Sequence, residues 1–339
     1  AVLRDVRAAS LRFDSHVIVQ TIETKKTLAN FTSRGELTVK PVKSGVVVGS
    51  RPFKVYGVRL NPHSGRFFLE GREYRGDLVI IRQKDMRLLC VNYIGIDDYL
   101  KGVLPREVSP RWDAEALKAQ AVVSRTYALF QEIIRADKDY SLERTVASQV
   151  YGGATSEADR TSRAVDQTRG EIMVFQGNIF PAYFHAACGG KTTRPETVWD
   201  TYSHPAMAGV SCPYCRDSKH YSWSQTITLD DIEKNLSEAG FYGGEVFFVE
   251  GSKMDASGRI TQFLVHGTEG PQHIQGNAFR LALGPQVLKS TKIRKLRKVG
   301  ESYYFEGFGW GHGVGFCQWG AKAMAENDYT YRQILRYYF

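Results

Sequence analysis

The segment Gly102 to Trp112, G-V-L-P-R-E-V-S-P-R-W, sets one carboxylate, Glu107, between two arginines and two prolines just ahead of a long apolar run. Prolines limit how such a loop can move, and a fixed acid is suited to passing a proton to and from a bound substrate. Inside the apolar run, Ser124-Arg125-Thr126 interrupts A-V-V and Y-A-L-F, so Arg125 starts from a buried stem. An unpaired buried guanidinium is costly, and Glu107 and Glu115 are the carboxylates expected within its reach. Two arrangements fit: an Arg–Glu pair that ties loop to helix, or a cleft acid with Arg125 as its orienting or substrate-holding neighbour. Arg106 and Arg125 would keep Glu107 ionised, and burial alone would restore the protonated form that a general acid needs.

A second group of chemistry-bearing residues follows. Cys212-Pro-Tyr-Cys215 and His220, with His185 and Cys188 upstream and His204 between, offer sulfur and nitrogen ligands for tetrahedral zinc. The expected set is Cys188, Cys212, Cys215 and His220, with His185 as second choice of histidine. Such a sphere has no place for water, so the zinc would be structural, pinning a long loop. A Cys212–Cys215 disulfide and unbonded thiols are the alternatives. Cys90 and Cys317 stand in apolar or helical surroundings and are expected to be plain buried thiols.

Near the end of the chain, G-F-G-W-G-H-G-V-G-F-C-Q-W-G resembles a phosphate cradle only superficially, with no Gly-Lys-Ser/Thr and no following βαβ unit carrying a ribose-binding acid. Nucleotide binding is excluded on that ground. Alternate glycines allow close backbone approach, and Trp310, His312 and Trp319 are candidates to line a sugar groove, the alternative being a tight packing corner.

These residues must be positioned by a chain of 339 residues, 42% hydrophobic, long enough for a sizeable core. From Asp14 to Asn92, short alternating runs broken by turn residues predict strands. Asp97 and Asp98 are expected to cap a short helix ending at Leu104, and Ser109-Pro110 to open a helix running to Ile134 that is apolar on nearly every side. Further helices are expected over 156–168, 229–236 and 277–283, with strands over 172–175, 179–187, 246–249 and 260–265. The fold class is α+β: a β-rich region over 1–90 packed on the rest, then a mixed catalytic region over 91–339 with a central buried helix and a cysteine- and histidine-bearing loop over 188–223. No run approaches the length of a membrane span. The formal charge of +9 suits a well-solvated surface or an anionic partner, and no zinc finger, helix-turn-helix or RNA-binding signature points to nucleic acid.

The stretch V-N-Y-I-G-I-D-D-Y-L-K-G-V-L-P-R-E-V-S-P-R-W-D-A-E-A-L-K-A-Q-A-V-V-S-R-T-Y-A-L resembles the signature of the stage II sporulation protein D and amidase-enhancer family, as does G-W-G-H-G-V-G-F-C-Q-W-G-A-K-A-M-A. Q-V-Y-G-G and Y-F-H-A-A-C-G-G-K-T support the likeness, which runs from Tyr74 to the C-terminus. It implies a lytic transglycosylase acting on peptidoglycan glycan strands, in sporulating bacteria on strands stripped of stem peptides by a partner amidase. The family's catalytic glutamate corresponds to Glu107 and its essential arginine to Arg125. The glycine-rich stretch is the family's second signature, and some members carry zinc while others lack it. One carboxylate would protonate the glycosidic oxygen and then deprotonate the sugar's own C6 hydroxyl, closing a 1,6-anhydro ring. Such an enzyme works outside the cytoplasmic membrane, and a signal or anchor is expected to have preceded Ala1. The alternatives are a non-catalytic glycan-binding enhancer of a cell-wall amidase and a zinc hydrolase with an open metal position.

Overall fold

The strands that open the chain follow from alternation. In His16–Gln20, Val17 and Val19 are fully buried while His16 faces solvent, and in Gly57–Pro62 the buried Val58 and Leu60 alternate with half-buried neighbours. A period of two is what a strand with one face on a core requires. The computed structural model describes residues 1–32, 35–144, 149–199 and 203–339. The fold is α+β, as expected, with eight α-helices and mostly antiparallel sheets among the described residues. It divides into two compact units, Ala1–Trp112 with Gln120–Pro181, and Asp113–Ala119 with Ala182–Phe339.

The first unit contains two six-stranded sheets. One runs in the order Leu3–Val6, Leu88–Tyr93, Asp77–Arg82, Gly57–Pro62, His16–Gln20, Thr27–Thr32; the other Arg72–Arg75, Arg66–Leu69, Ala9–Arg12, Leu37–Val42, Gly45–Val48, Arg51–Phe53. Val17, Leu60 and Leu78 of one sheet and Leu11, Val39 and Phe67 of the other share a core. Cys90 lies in it, fully buried, as the sequence predicts of a plain thiol.

Helices α1 (Ile96–Glu107), α2 (Ala114–Ile134) and α3 (Asp159–Gln167) contribute Leu100, Leu104, Ala121, Ala128 and Val165 to that core. The sequence places the end of α1 at Leu104, ahead of Pro105, but the helix continues to Glu107 with the proline inside its last turn. Burial of Val103, Leu104 and the following Val108 outweighs the hydrogen bond that Pro105 cannot make. Gly95, not Asp97 or Asp98, is the N-cap, and the two aspartates occupy the first turn. Ser109-Pro110 does not start α2: Trp112 N–H donates to the Ser109 carbonyl in a turn, and Asp113 takes the Glu115 N–H instead. Residues 121–128 of α2 are all buried.

The second unit holds α4 (Glu196–Trp199), α5 (Leu229–Glu238), α6 (Gly276–Ala282), α7 (Gln318–Ala325) and α8 (Tyr331–Tyr338). Two three-stranded sheets, Ser222–Thr228 with Ser302–Phe308 and Ile293–Val299, and Val246–Met254 with Ile260–Gly267 and Gln272–Gln275, enclose a core around Ile232, Phe263, Phe279 and Phe305. The strands at 222–228, 293–299 and 302–308 carry no clear alternation in the sequence; in Ile293–Val299 only Ile293 is buried. A short parallel pair sets Phe184 beside Phe316 and His185 beside Cys317.

Gly102 of α1 is held against Tyr151, and a Cβ there would lie 2.6 Å from the Tyr151 ring and 2.9 Å from the Gly153 carbonyl. That ring is fixed by Tyr74 and Tyr99 and by its bond to Asn92. Gly102→Ala gains about 1 kcal/mol of helix propensity but suffers an overpacking penalty of about 1–3 kcal/mol. A net loss of about 1–2 kcal/mol is expected in urea denaturation; equal or greater stability would show that the ring yields.

Candidate functional site

Glu107 closes α1 and is half-buried. Its Oε1 accepts the Val150 N–H at 2.8 Å. The segment after Val150 is fastened to the same helix, with Gly152 N–H and Ser156 Oγ both donating to the Gly102 carbonyl. Behind it Tyr99 donates to Gln149 Oε1 at 3.2 Å, and the fully buried Gln149 donates to the Ser124 carbonyl of α2. Burial first, and then the Glu107 charge, push the Tyr99 hydroxyl well above the ordinary phenol range. Glu107 therefore stands on a hydrogen-bonded backing made by Q-V-Y-G-G and α2.

Arg125 is 1% exposed, as the interrupted apolar run predicts, but its carboxylate is neither Glu107 nor Glu115. Nε and Nη2 donate to Asp97 Oδ1 at 3.0 and 2.8 Å, while Nη1 reaches the Glu171 carbonyl and Nη2 the Val165 carbonyl. Glu115 instead pairs with Lys118 and accepts the Tyr331 N–H. Asp97, which the sequence reads as a helix cap or a possible second carboxylate, is the anchor that joins the first turn of α1 to the middle of α2. Arg106 points to solvent. A deeply buried arginine signals that an acid must be near, but 28 positions separate it from this one and several carboxylates compete.

In the second unit the glycine-rich loop carries positive φ at Gly309, Gly311, Gly313 and Gly315. At Gly309 a Cβ would sit 2.4 Å from the Ala187 carbonyl, so only glycine lets Trp310 pair its backbone with Ala187. Trp310 and Trp319 are brought together through His220, whose ring lies 4.6 and 5.5 Å from theirs, and Trp310 Nε1 donates to the Pro285 carbonyl. His312 joins another aromatic group, Tyr183 and Trp199, which sequence reasoning missed. Its Nε2 donates to the Phe184 carbonyl and its Nδ1 accepts the Val314 N–H, and burial, then the neighbouring His185, push the imidazole well below its ordinary range.

The expected metal ligands change by one residue. Cys188, Cys212 and Cys215 come together, and their fourth partner is Cys317, all four sulfurs lying within 4.8 Å of one another. His220 packs on the tryptophans, and His185 donates from Nδ1 to the Val314 carbonyl. The parallel pairing of Phe184–His185 with Phe316–Cys317 delivers Cys317 to Cys188, a long-range contact that C-x-x-C spacing does not reveal. All four thiols are buried and none is disulfide-bonded. Sulfurs on tetrahedral zinc, at about 2.3 Å from the metal, stand about 3.8 Å apart, close to this arrangement.

Among the described residues, Arg125→Met leaves Asp97 with only the distant, exposed Arg169 at 3.9 Å, and breaking one side of a buried pair costs about 3–5 kcal/mol. Asp97 is 19% exposed, so the lower end is expected in guanidinium denaturation. Arg125→Lys should recover little, lacking the planar fork that serves three acceptors. Asp97→Asn should cost at least as much, because its amide oxygen still accepts but the 1% exposed guanidinium is left without its anion. A variant at Arg125 as stable as the wild type would refute the anchoring role.

Residues 84–175 match the model of the family described as stage II sporulation protein, and residues 214–315 that of a domain of unknown function. An uncharacterized protein of Brachyspira hyodysenteriae is 36% identical over 274 residues, covering 80% of this chain and 72% of that protein. The amidase enhancer of Bacillus subtilis is 27% identical over 344 residues, 84% of this chain but 47% of its own length, so the chain spans about half of it. Stage II sporulation protein D of Bacillus subtilis is 26% identical over 277 residues, 74% of each chain. Asp97, Glu107 and Arg125 all fall within the first matched stretch. The chain belongs to the stage II sporulation protein D and amidase-enhancer family.

Proposed function

We propose that this protein is a peptidoglycan lytic transglycosylase with Glu107 as its single acid and base. Family membership supports a cell-wall-related role; the specific chemistry rests on the half-buried Glu107, fixed by the Val150 N–H at the end of a helix anchored by Arg125. Glu107 protonates the glycosidic oxygen as the C1–O bond breaks. Its carboxylate then takes the proton of the C6 hydroxyl while O6 bonds to C1, so a 1,6-anhydro end forms and no water is consumed. A tethered nucleophile makes the second carboxylate of ordinary glycosidases unnecessary. Arg125, with its donors engaged by Asp97 and two carbonyls, is a positioning residue that acts through α1.

Trp310 and Trp319 present half-buried indoles suited to the faces of sugar rings, and His312 with Tyr183 and Trp199 forms a second such surface. The proposed substrate is glycan strands cleared of stem peptides, with a cell-wall amidase as partner, and the proposed place of action lies outside the cytoplasmic membrane. Among the described residues no helix is long and apolar enough to cross a membrane. The four-cysteine cluster is proposed to hold structural zinc, since a four-thiolate sphere lacks the open position that a zinc hydrolase needs. A second reading, a glycan-binding enhancer of an amidase without turnover, is favoured by the two aromatic surfaces, which can grip a strand without chemistry.

Incubation with peptide-free strands and mass spectrometry of the products should give anhydro-ended fragments. Glu107→Gln should lower that yield by about 100-fold or more. Undiminished cleavage by this variant would sink the assignment, and reducing ends would indicate hydrolysis. Strands left intact by the wild type, with full stimulation of an amidase by Glu107→Gln, would establish the enhancer. Chelation should lower the melting temperature of the second unit, with activity falling only as that unit loosens; a melting curve indifferent to chelator contradicts a structural metal.

A further inference from the structure

Arg125 and Arg259 are the largest fully buried side chains among the described residues. Arg125 has a carboxylate, but Arg259 has none within ion-pair distance among those residues. Its Nη1 donates to the Lys191 carbonyl and Ser257 Oγ, its Nη2 to the Cys188 carbonyl at 2.6 Å, and its Nε has no partner among the described residues. Gly313 makes room for it, since a Cβ there would lie 2.3 Å from the guanidinium carbon. Asp255 is reached only through the Ser257 hydroxyl, and it already accepts from Thr193, Thr197 and the Ser257 and Arg259 backbone. Among the groups close enough to act on the Arg259 charge are Cys188, Asp255, Cys317 and Cys215, with His185, Lys292 and His312 as basic neighbours. Half-buried Lys292, in no ion pair among the described residues, faces Cys188, Cys215 and Asp255 beside it.

Two cations thus share one carboxylate next to four thiols. Neutral thiols would leave this interior with an uncompensated positive charge, a severe penalty at low dielectric. Four thiolates on a divalent ion carry a net charge of −2, which more than offsets the one positive charge that Asp255 leaves uncompensated. The surroundings also suit sulfur that bears charge: Cys188 N–H and Gly320 N–H point at Cys317 Sγ at 3.3 and 3.4 Å, and the Tyr338 hydroxyl contacts Cys212 Sγ at 3.2 Å. Gly320 is needed there, because a Cβ would come within 2.8 Å of Cys212 Sγ.

We infer that Arg259, with Lys292 beside it, is the built-in counter-charge of the closed tetrathiolate centre proposed above for Cys188, Cys212, Cys215 and Cys317. The inference rests on the cluster being a metal site. On binding, each thiol gives its proton to solvent and each sulfur bonds the ion, with no change of oxidation state.

The test is zinc content by elemental analysis and zinc affinity by competition with a chromophoric chelator, using the whole chain. The wild type should carry about one zinc per chain, as one four-ligand site requires, and its cobalt-substituted form should show the charge-transfer bands of four sulfurs. Cys317→Ser should lose the ion and His220→Ala should keep it. Arg259→Met should bind zinc about 10–100-fold more weakly, with Arg259→Lys recovering part of the loss. Packing damage alone lowers the melting temperatures of the zinc-loaded and zinc-free forms together, whereas a lost counter-charge narrows the gap between them. Should Arg259→Met fail to fold, Lys292→Met carries the test, with several-fold weaker binding expected. Wild-type zinc affinity in the charge-removing variants overturns the counter-charge and leaves the metal site standing. A wild type free of zinc, with Cys212 and Cys215 oxidised to a disulfide, overturns both.

Discussion

A guanidinium in the middle of an apolar helix must find an anion, and in the first unit the Arg125–Asp97 pair meets that demand. Much of the neighbouring geometry follows from it. Asp97 fixes the start of α1, while the Glu171 and Val165 carbonyls tie the chain at and after α3 to the same group. With its first turn held and Leu100, Val103 and Leu104 sunk in the core, α1 can carry a proline in its last turn and still deliver Glu107 to a defined place. The Q-V-Y-G-G segment then meets Glu107 from the other side through the Val150 N–H. Arg125 in this way governs where the acid is without occupying its surroundings.

The two buried arginines show two solutions to one electrostatic problem. Arg125 is answered by a carboxylate that keeps partial contact with water, so the pair is less heavily desolvated than its cation alone suggests. Arg259 is answered mainly by carbonyl and hydroxyl oxygens, which satisfy donors but not charge. Hydrogen-bond satisfaction and charge compensation are separate requirements, and it is the difference between them that directs attention to the sulfurs.

The sequence carried much of this, unevenly. The α+β class, the opening strands and the burial of α2 follow from period and composition, because Val17, Val19, Val58 and Leu60 alternate and α2 is apolar on nearly every side apart from Ser124-Arg125-Thr126. Glu107 and Arg125 stand out by type and setting. What the sequence concealed was pairing across distance: Asp97 for Arg125, Cys317 for the cysteine cluster, and Tyr183 with Trp199 for His312. Cys317 looked inert because it sits at the head of an apolar helix, and only the parallel pairing with Phe184–His185 gives it neighbours. Helix ends failed for a local reason, since Pro105 and Ser109-Pro110 are signals that packing and the Asp113 cap override.

Cys188 and Cys317 touch through a backbone-to-sulfur bond across 129 positions. As the chain emerges in order from its N-terminus, three of the four cysteines are present long before the last, and for that interval they form an incomplete, thiol-rich loop open to oxidants. Only when the final glycine-rich segment folds in beside Ala186 and Cys188 does the quartet exist. Loop closure over such a span carries an entropic cost that local C-x-x-C geometry does not share. The cluster is thus a late event in the life of the chain, and its completion marks that the last part of the second unit has reached its place.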